Sequence, residues 1–279
     1  MSDTALESRE AWARVAAGWE VRRAFVWEAS RGLAERLVEL LDPRPGETVL
    51  ELAAGLGESG FLAAPRLEPG GRLLSTDVVP EMVEAARRRG AQLTVANVEH
   101  RVLDAQATGL ATGSIDGVLC RWGYMLCADP LAALVETHRV LRAHGRLACA
   151  VWAEAKENPW GTAVGRALVD LGFMERPDPD APGPFRLGEP ERLRRLVTDA
   201  GFEEPQTEDV PITFRYASFD EYWAITRDLS FTLASALDRL TAEDAARVRG
   251  AVERALEPFA DAAGRLALPG LSKAILARA

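Results

Sequence analysis

One short stretch concentrates the residues able to do chemistry: Val49-Leu-Glu-Leu-Ala-Ala-Gly-Leu-Gly-Glu-Ser-Gly60. It places glycines at 55, 57 and 60 in a GxGxxG pattern, after one apolar run and before a helix-forming one. Glycines in that context permit a tight turn and let a ligand lie against bare backbone. The pattern alone is weak; the strand before it and the helix after it give it meaning. Asp77 follows Gly57 by 20 residues, at the end of the next apolar run. A carboxylate there can accept hydrogen bonds from both hydroxyls of a ribose. Loop and acid together predict a nucleoside site.

Glu51 bears on which nucleoside. It ends the first apolar run, four residues before Gly55. A carboxylate there repels the pyrophosphate that a dinucleotide sets over such a loop and suits a cationic ligand, directly or through water. The proton-transfer pair Tyr-x-x-x-Lys of short-chain dehydrogenases is also missing. Only Lys156 and Lys273 are lysines, and the residues four before them are Trp152 and Pro269.

These residues need a scaffold of alternating elements. Residues 5–41 are predicted helical, with Trp12, Val15 and Trp19 and then Leu33, Leu37, Leu40 and Leu41 at helical spacing. Strands are predicted at Thr48–Leu52, Arg72–Thr76, Val98–Leu103, Ile115–Cys120 and Arg146–Trp152, with helices at Ser59–Leu67, from Pro80, and from Pro130 through Leu141. Strand and helix in alternation imply a parallel sheet covered by helices. Residues 153–187 are rich in proline and glycine and are expected to form a long lid. A helix at Glu189–Ala200, a strand at Pro205–Tyr216, helices over 218–262 and a last strand at Ala267–Ala277 complete the chain. The expected division is an N-terminal helical cap over 1–45, a core over 46–152, and over 153–279 a lid, the completing strands and a helical insert of the same domain.

Residues 49–152 resemble the class I S-adenosylmethionine-dependent methyltransferases, in particular the small-molecule branch near the ubiquinone and menaquinone methyltransferases. Glu51-Leu-Ala-Ala-Gly-Leu-Gly57 matches their acidic-x-Gly/Ala-x-Gly-x-Gly motif, with Ala53 in the first small position. Leu74–Asp77 matches the ribose-binding acid, Leu103-Asp-Ala105 the pair that meets adenine, and Ser114–Tyr124 the fourth strand and the loop facing the methyl group. Arg139–Leu147 resembles the helix-turn-strand RVLKPGGRL, with Ala143 and His144 in place of Pro-Gly. The resemblance implies an α/β, Rossmann-like, doubly wound sheet of seven strands with the last antiparallel, and S-adenosylmethionine as cofactor. It implies Glu51, Ala53, Gly55, Gly57, Asp77, Val78, Met82, Asp104, Ala105 and Arg121 as cofactor-binding residues. Two alternatives stay open: a protein of this fold that binds the cofactor without transferring a methyl group, and a nicotinamide oxidoreductase.

On the acceptor side, aromatic residues cluster at predicted strand ends and in the cap. Trp19, Trp122, Tyr124 and Trp152 are the expected pocket, fitting a small apolar or aromatic substrate. No catalytic base is identifiable; His100, His138 and His144 fall away from the ligand end. Cys120, Cys127 and Cys149 form no CxxC and the histidines no metal spacing, so no metal site is expected. A net charge of -9 argues against a nucleic-acid partner. The first residues have neither the basic nor the apolar character of a leader, and no apolar run is long enough to span a bilayer. A cytoplasmic monomer or homodimer is expected.

Overall fold

The computed structural model describes residues 3–279; the first two residues of the expected cap lie outside them. Helices α1 (Asp3–Val21) and α2 (Arg23–Leu41) precede β1 (Thr48–Glu51), α3 (Glu58–Ala63), β2 (Arg72–Asp77), α4 (Pro80–Gln92) and β3 (Val98–Val102). Then come β4 (Ile115–Arg121), α5 (Pro130–Val140), β5 (Leu141–Trp152), α6 (Pro159–Asp170), α7 (Pro190–Asp199) and β6 (Gln206–Tyr216). Helices α8 (Phe219–Leu229), α9 (Phe231–Asp238) and α10 (Ala242–Leu256) lead to β7 (Leu266–Arg278). No helix among the described residues is long and apolar enough to cross a membrane.

The strands form one sheet in the order β3-β2-β1-β4-β5-β7-β6, with β7 antiparallel to both neighbours and the other neighbouring pairs parallel. This is the expected Rossmann-like arrangement, with α8–α10 inserted between β6 and β7. Val49 and Leu50 of β1 and Val118 of β4 are fully buried, as the continuous apolar runs of central parallel strands require. Helices α4, α5, α6 and α7 each open on a proline, whose fixed φ and missing N–H suit the first helical position. Strand order reverses between β1 and β4, so the carboxyl ends of β2, β1 and β4 surround a crevice of the kind that takes ligands in open α/β sheets.

Three expectations change. The predicted 5–41 helix breaks at Arg22 (φ −89°, ψ 8°), which lets α2 pack on the sheet while α1 turns toward α4, α8 and α9. Strand β5 begins at Leu141 rather than Arg146, because residues 142–145 form an irregularity in which His144 takes φ +64° and its N–H bonds to Ala279 O. The expected lid over 153–187 contains α6, whose Ala163, Val164, Ala167 and Leu168 are buried at helical spacing.

Helix α1 is pinned to the end of α8. Arg22 pairs with Asp228 at 2.7 Å, Trp19 Nε1 donates to Leu229 O at 3.3 Å, and an added Cβ on Gly18 would collide with Asp228 O. Gly18→Ala is therefore expected to destabilise by about 1–3 kcal/mol through overpacking. The helix propensity gained, about 1 kcal/mol, does not relieve a clash with a backbone carbonyl. Loosening of α1 should be read as faster tryptic cleavage at Arg22 and Arg23; wild-type cleavage and stability would refute this close docking.

Candidate functional site

Backbone hydrogen bonds anchor the start of the turn after β1: Leu52 N–H donates to Leu119 O and Ala54 N–H to Thr76 O, both at 2.9 Å. Within it Ala53, Gly55 and Gly57 take φ of +48°, +56° and +83°. The two glycines are required for different reasons. A Cβ on Gly57 would sit 2.5 Å from the Phe61 ring, so this glycine lets α3 pack. A Cβ on Gly55 would meet no protein atom within 4 Å, so this one faces open space at the crevice. Ala53 and Trp122 (φ +63°) are non-glycine residues in the left-handed region, at the ends of adjacent strands. Strain of this kind concentrates at ligand sites.

Asp77, at the end of β2, is 8% exposed. Its Oδ2 accepts from Gly55 N–H at 2.9 Å and its Oδ1 from Val79 N–H at 3.0 Å, which ties the glycine turn to β2. Each oxygen keeps a second lone pair for a ligand hydroxyl. Burial raises the Asp77 pKa, against the lowering effect of the backbone donors. Val78 and Met82 follow, and Met82 is buried with Ala16, Leu56, Val79 and Ala85 while Trp12 and Trp19 of α1 pack against the group. Asp104 and Ala105 lie beyond β3, where Leu103 N–H bonds to Asp77 O at 2.9 Å. Asp104 Oδ1 accepts from the backbone and side-chain nitrogens of Gln106 at 2.9 and 3.2 Å.

Glu51 does not face the crevice as an open carboxylate. It is 2% exposed, and its oxygens accept from Gly60 N–H at 2.7 Å and Ser75 Oγ at 3.1 Å. The carboxylate expected to meet a ligand directly or through water is instead buried beneath the loop and turned to Gly60 and Ser75. Burial, the dominant cause, pushes its pKa up to about 7, with Gly60, Ser75 and Arg121 opposing. Arg121 reaches from β4 to Ser59 on α3 and Ser30 on α2, at 2.9 and 3.2 Å. Glu58 holds Arg23 and Arg89 at 3.0 and 3.2 Å. Arg23, Ser30, Glu58 and Arg89 carried no sequence signal for the site, because only tertiary packing gathers them.

The aromatic expectations divide. Tyr124 is 1% exposed with its hydroxyl bonded to Thr137 Oγ1 at 2.8 Å, so it is a core residue rather than a pocket wall. Trp152 is likewise core: 3% exposed, it lies between Trp122 and Trp160 at ring separations of 4.2 and 4.6 Å. The physical reason is shared: α5 covers Tyr124, and β7 with α6 covers the end of β5. Trp122 is 8% exposed and donates from Nε1 to Ser272 Oγ at 3.0 Å, beside the crevice. Trp19 is half-buried on α1 against Trp12.

No activated nucleophile emerges from the thiols. Burial pushes Cys127 and Cys149 up to about 12 and Cys120 well above its ordinary value, so all three stay protonated near neutral pH. Asn158 is fully buried and satisfied: its Nδ2 donates to Ala153 O and Glu154 O, and its Oδ1 accepts from Leu271 N–H and Trp160 Nε1. It clamps β5 to β7.

Residues 50–149 match the family model described as a methyltransferase domain. Over 131 residues the chain is 34% identical to nocamycin O-methyltransferase of Saccharothrix syringae, covering 45% of this chain and 47% of that protein. Over 145 residues it is 32% identical to the ubiquinone/menaquinone biosynthesis C-methyltransferase UbiE of Acidiphilium cryptum, covering 50% and 57%. The chain spans about half the length of the curated relatives it matches first. The crystal structure of the YcgJ protein from Bacillus subtilis superposes with a TM-score of 0.58 at 17% identity, over 88% of this chain and 97% of that one, a likeness of fold. Residues 50–149 thus resemble a methyltransferase domain, and the sheet shares the fold of the solved neighbour.

Proposed function

We propose that the protein transfers a methyl group from S-adenosylmethionine to a small, apolar or aromatic organic acceptor. The observation that carries this is the crevice at the strand-order reversal. Bare backbone at Gly55 faces open space beside Asp77, whose spare lone pairs suit ribose hydroxyls. The residues present fit an adenosine with a charged amino-acid tail. Asp77 would take the ribose, Val78 and Met82 its flank, Asp104 and Ala105 the adenine, with Ala53, Gly55 and Gly57 supplying the floor and Arg121 the far wall.

The bound cofactor supplies a methyl carbon already activated by a sulfonium. The chain's own task is to align an acceptor atom with that carbon and to keep water away. Trp122 and Trp19 border the approach, and the names of the two relatives above, both methyltransferases of small molecules, support the acceptor class. We also propose a cap of residues 1–45 over a core of 46–152 completed by 153–279. The protein would work in the cytoplasm as a monomer or homodimer, and its acidic charge speaks against nucleic acid as substrate.

Two measurements test this. Labelled S-adenosylmethionine incubated with quinones, phenols and polyketide-like acceptors should label a product. Asp77→Ala should weaken cofactor binding by about 1–3 kcal/mol, the cost of removing a hydrogen-bonding partner, in isothermal titration. Wild-type affinity in that variant would remove Asp77 from the site, and tight dinucleotide binding without a response to S-adenosylmethionine would overturn the whole reading.

A further inference from the structure

Strands β6 and β7 outrun the rest of the sheet. Strand β5 ends at Trp152, which pairs with Ser272. The pairing of β6 with β7 continues from Val210 and Ser272 to Tyr216 and Leu266, six residues further along (272 − 266). At about 3.3 Å per residue, this two-stranded ribbon rises about 20 Å past the carboxyl end of β5. Its two faces differ. Thr213 and Arg215 are exposed, while Ile212, Phe214 and Tyr216 are buried, in the alternation a strand imposes. The inner face meets the first turn of α2, where the Phe25 ring lies 5.8 Å from Phe214 and 5.0 Å from Tyr216. Phe214 lies 6.1 Å from Trp152, which stacks on Trp122 at 4.2 Å beside the crevice. A continuous aromatic wall thus leads from the crevice to Tyr216.

The polar tips of its neighbours are taken. Trp122 Nε1 donates to Ser272 Oγ, Trp160 Nε1 to Asn158 Oδ1, and the Tyr222 hydroxyl to Trp160 O. Tyr216 differs. It is 5% exposed, and no hydrogen bond among the described residues uses its hydroxyl. The described side-chain atoms sealed from solvent without a partner are His100 Nδ1, Arg146 Nε and Arg186 Nε. The Tyr216 oxygen is not one of them, so it opens onto accessible space from the inner face of the ribbon. Buried polar groups are nearly always bonded, and this hydroxyl lacks its partner. Burial above all, then Tyr222 and Glu221, push its pKa up, so it stays a neutral donor.

We propose that the Tyr216 hydroxyl donates a hydrogen bond to an oxygen of the aromatic acceptor and so selects acceptors that carry one. This rests on the acceptor reading above. The rise of the ribbon sets that oxygen apart from the atom that receives the methyl group. Tyr216 decides specificity and takes no part in the transfer itself.

The test uses protein saturated with S-adenosylhomocysteine, so that no methyl group moves. Two probes alike in shape, 2-naphthol and 2-methylnaphthalene, are compared by equilibrium dialysis. Tyr216→Phe removes only the oxygen. It should weaken 2-naphthol about 5-fold, the scale of one neutral hydrogen bond, and leave 2-methylnaphthalene unchanged. In urea unfolding the variant should be at least as stable as wild type, because the lost hydroxyl leaves no partner stranded. Equal changes for both probes, or none for either, would make Tyr216 an apolar wall residue and overturn the proposal. A drop in stability would show the hydroxyl bonded within the fold and overturn it as well. A wild type that holds S-adenosylhomocysteine but neither probe would remove the aromatic-acceptor reading. One that holds no S-adenosylhomocysteine would remove the cofactor reading, and the proposal falls with either.

Discussion

Gly55→Val is expected to leave the protein folded and to lower cofactor affinity by at least about 100-fold, close to 3 kcal/mol. The two halves of that expectation have separate causes. At φ +56° a β-carbon costs about 1–2 kcal/mol in the left-handed region. A domain with an ordinary stability of about 5–15 kcal/mol tolerates that. The new side chain meets no protein atom within 4 Å of its Cβ, so nothing in the core is displaced. It projects into the space where the nucleoside would lie against the backbone. Gly57→Val makes the contrast, since its Cβ falls 2.5 Å from the Phe61 ring and should disturb α3 itself. Isothermal titration beside thermal unfolding separates the cases. A folded Gly55→Val protein that still binds at wild-type strength would remove the turn from the site.

Why these glycines were legible and Arg121's partners were not follows from the range of the forces involved. A turn that needs positive φ is a local demand, met by residue type within a few positions, so it shows in the letters themselves. Asp77 is legible because a strand and a crossover of ordinary length place it beside the turn. Ser30 lies 91 residues from Arg121, and nothing in either neighbourhood marks the pairing. Tyr124 and Trp152 show the opposite failure. Their strand-end positions suggested a pocket, but a one-dimensional pattern does not reveal that α5, α6 and β7 close over them. The break at Arg22 was equally silent, since neither glycine nor proline stands at the junction; tertiary docking of Gly18 against α8 turns the chain there.

The correction to Glu51 has a measurable consequence in pH dependence. An ordinary glutamate has a pKa near 4.5, and burial holds Glu51 at about 7 in the folded protein. The folded state therefore keeps a proton that the unfolded chain releases. The corresponding stability is complete below about pH 4.5 and is lost as pH rises through about 7. A shift of that size corresponds to about 3 kcal/mol. Asp77, raised for the same reason, contributes with the same sign. Glu136 acts in the other direction: Arg139 and Thr108 hold its pKa at about 2, so its contribution is present above about pH 4.5 and disappears as pH falls toward 2. Urea unfolding should thus find the protein more stable at pH 5.5 than at pH 8.5. Glu51→Gln should remove most of the alkaline loss, because an amide oxygen can still accept from Gly60 N–H without having to ionise. Binding of a sulfonium-bearing ligand above the turn should favour the ionised carboxylate and release protons near pH 7, more for S-adenosylmethionine than for S-adenosylhomocysteine. An alkaline slope unchanged in Glu51→Gln would show that the carboxylate is already ionised in the fold, tied to Arg121 rather than to a proton.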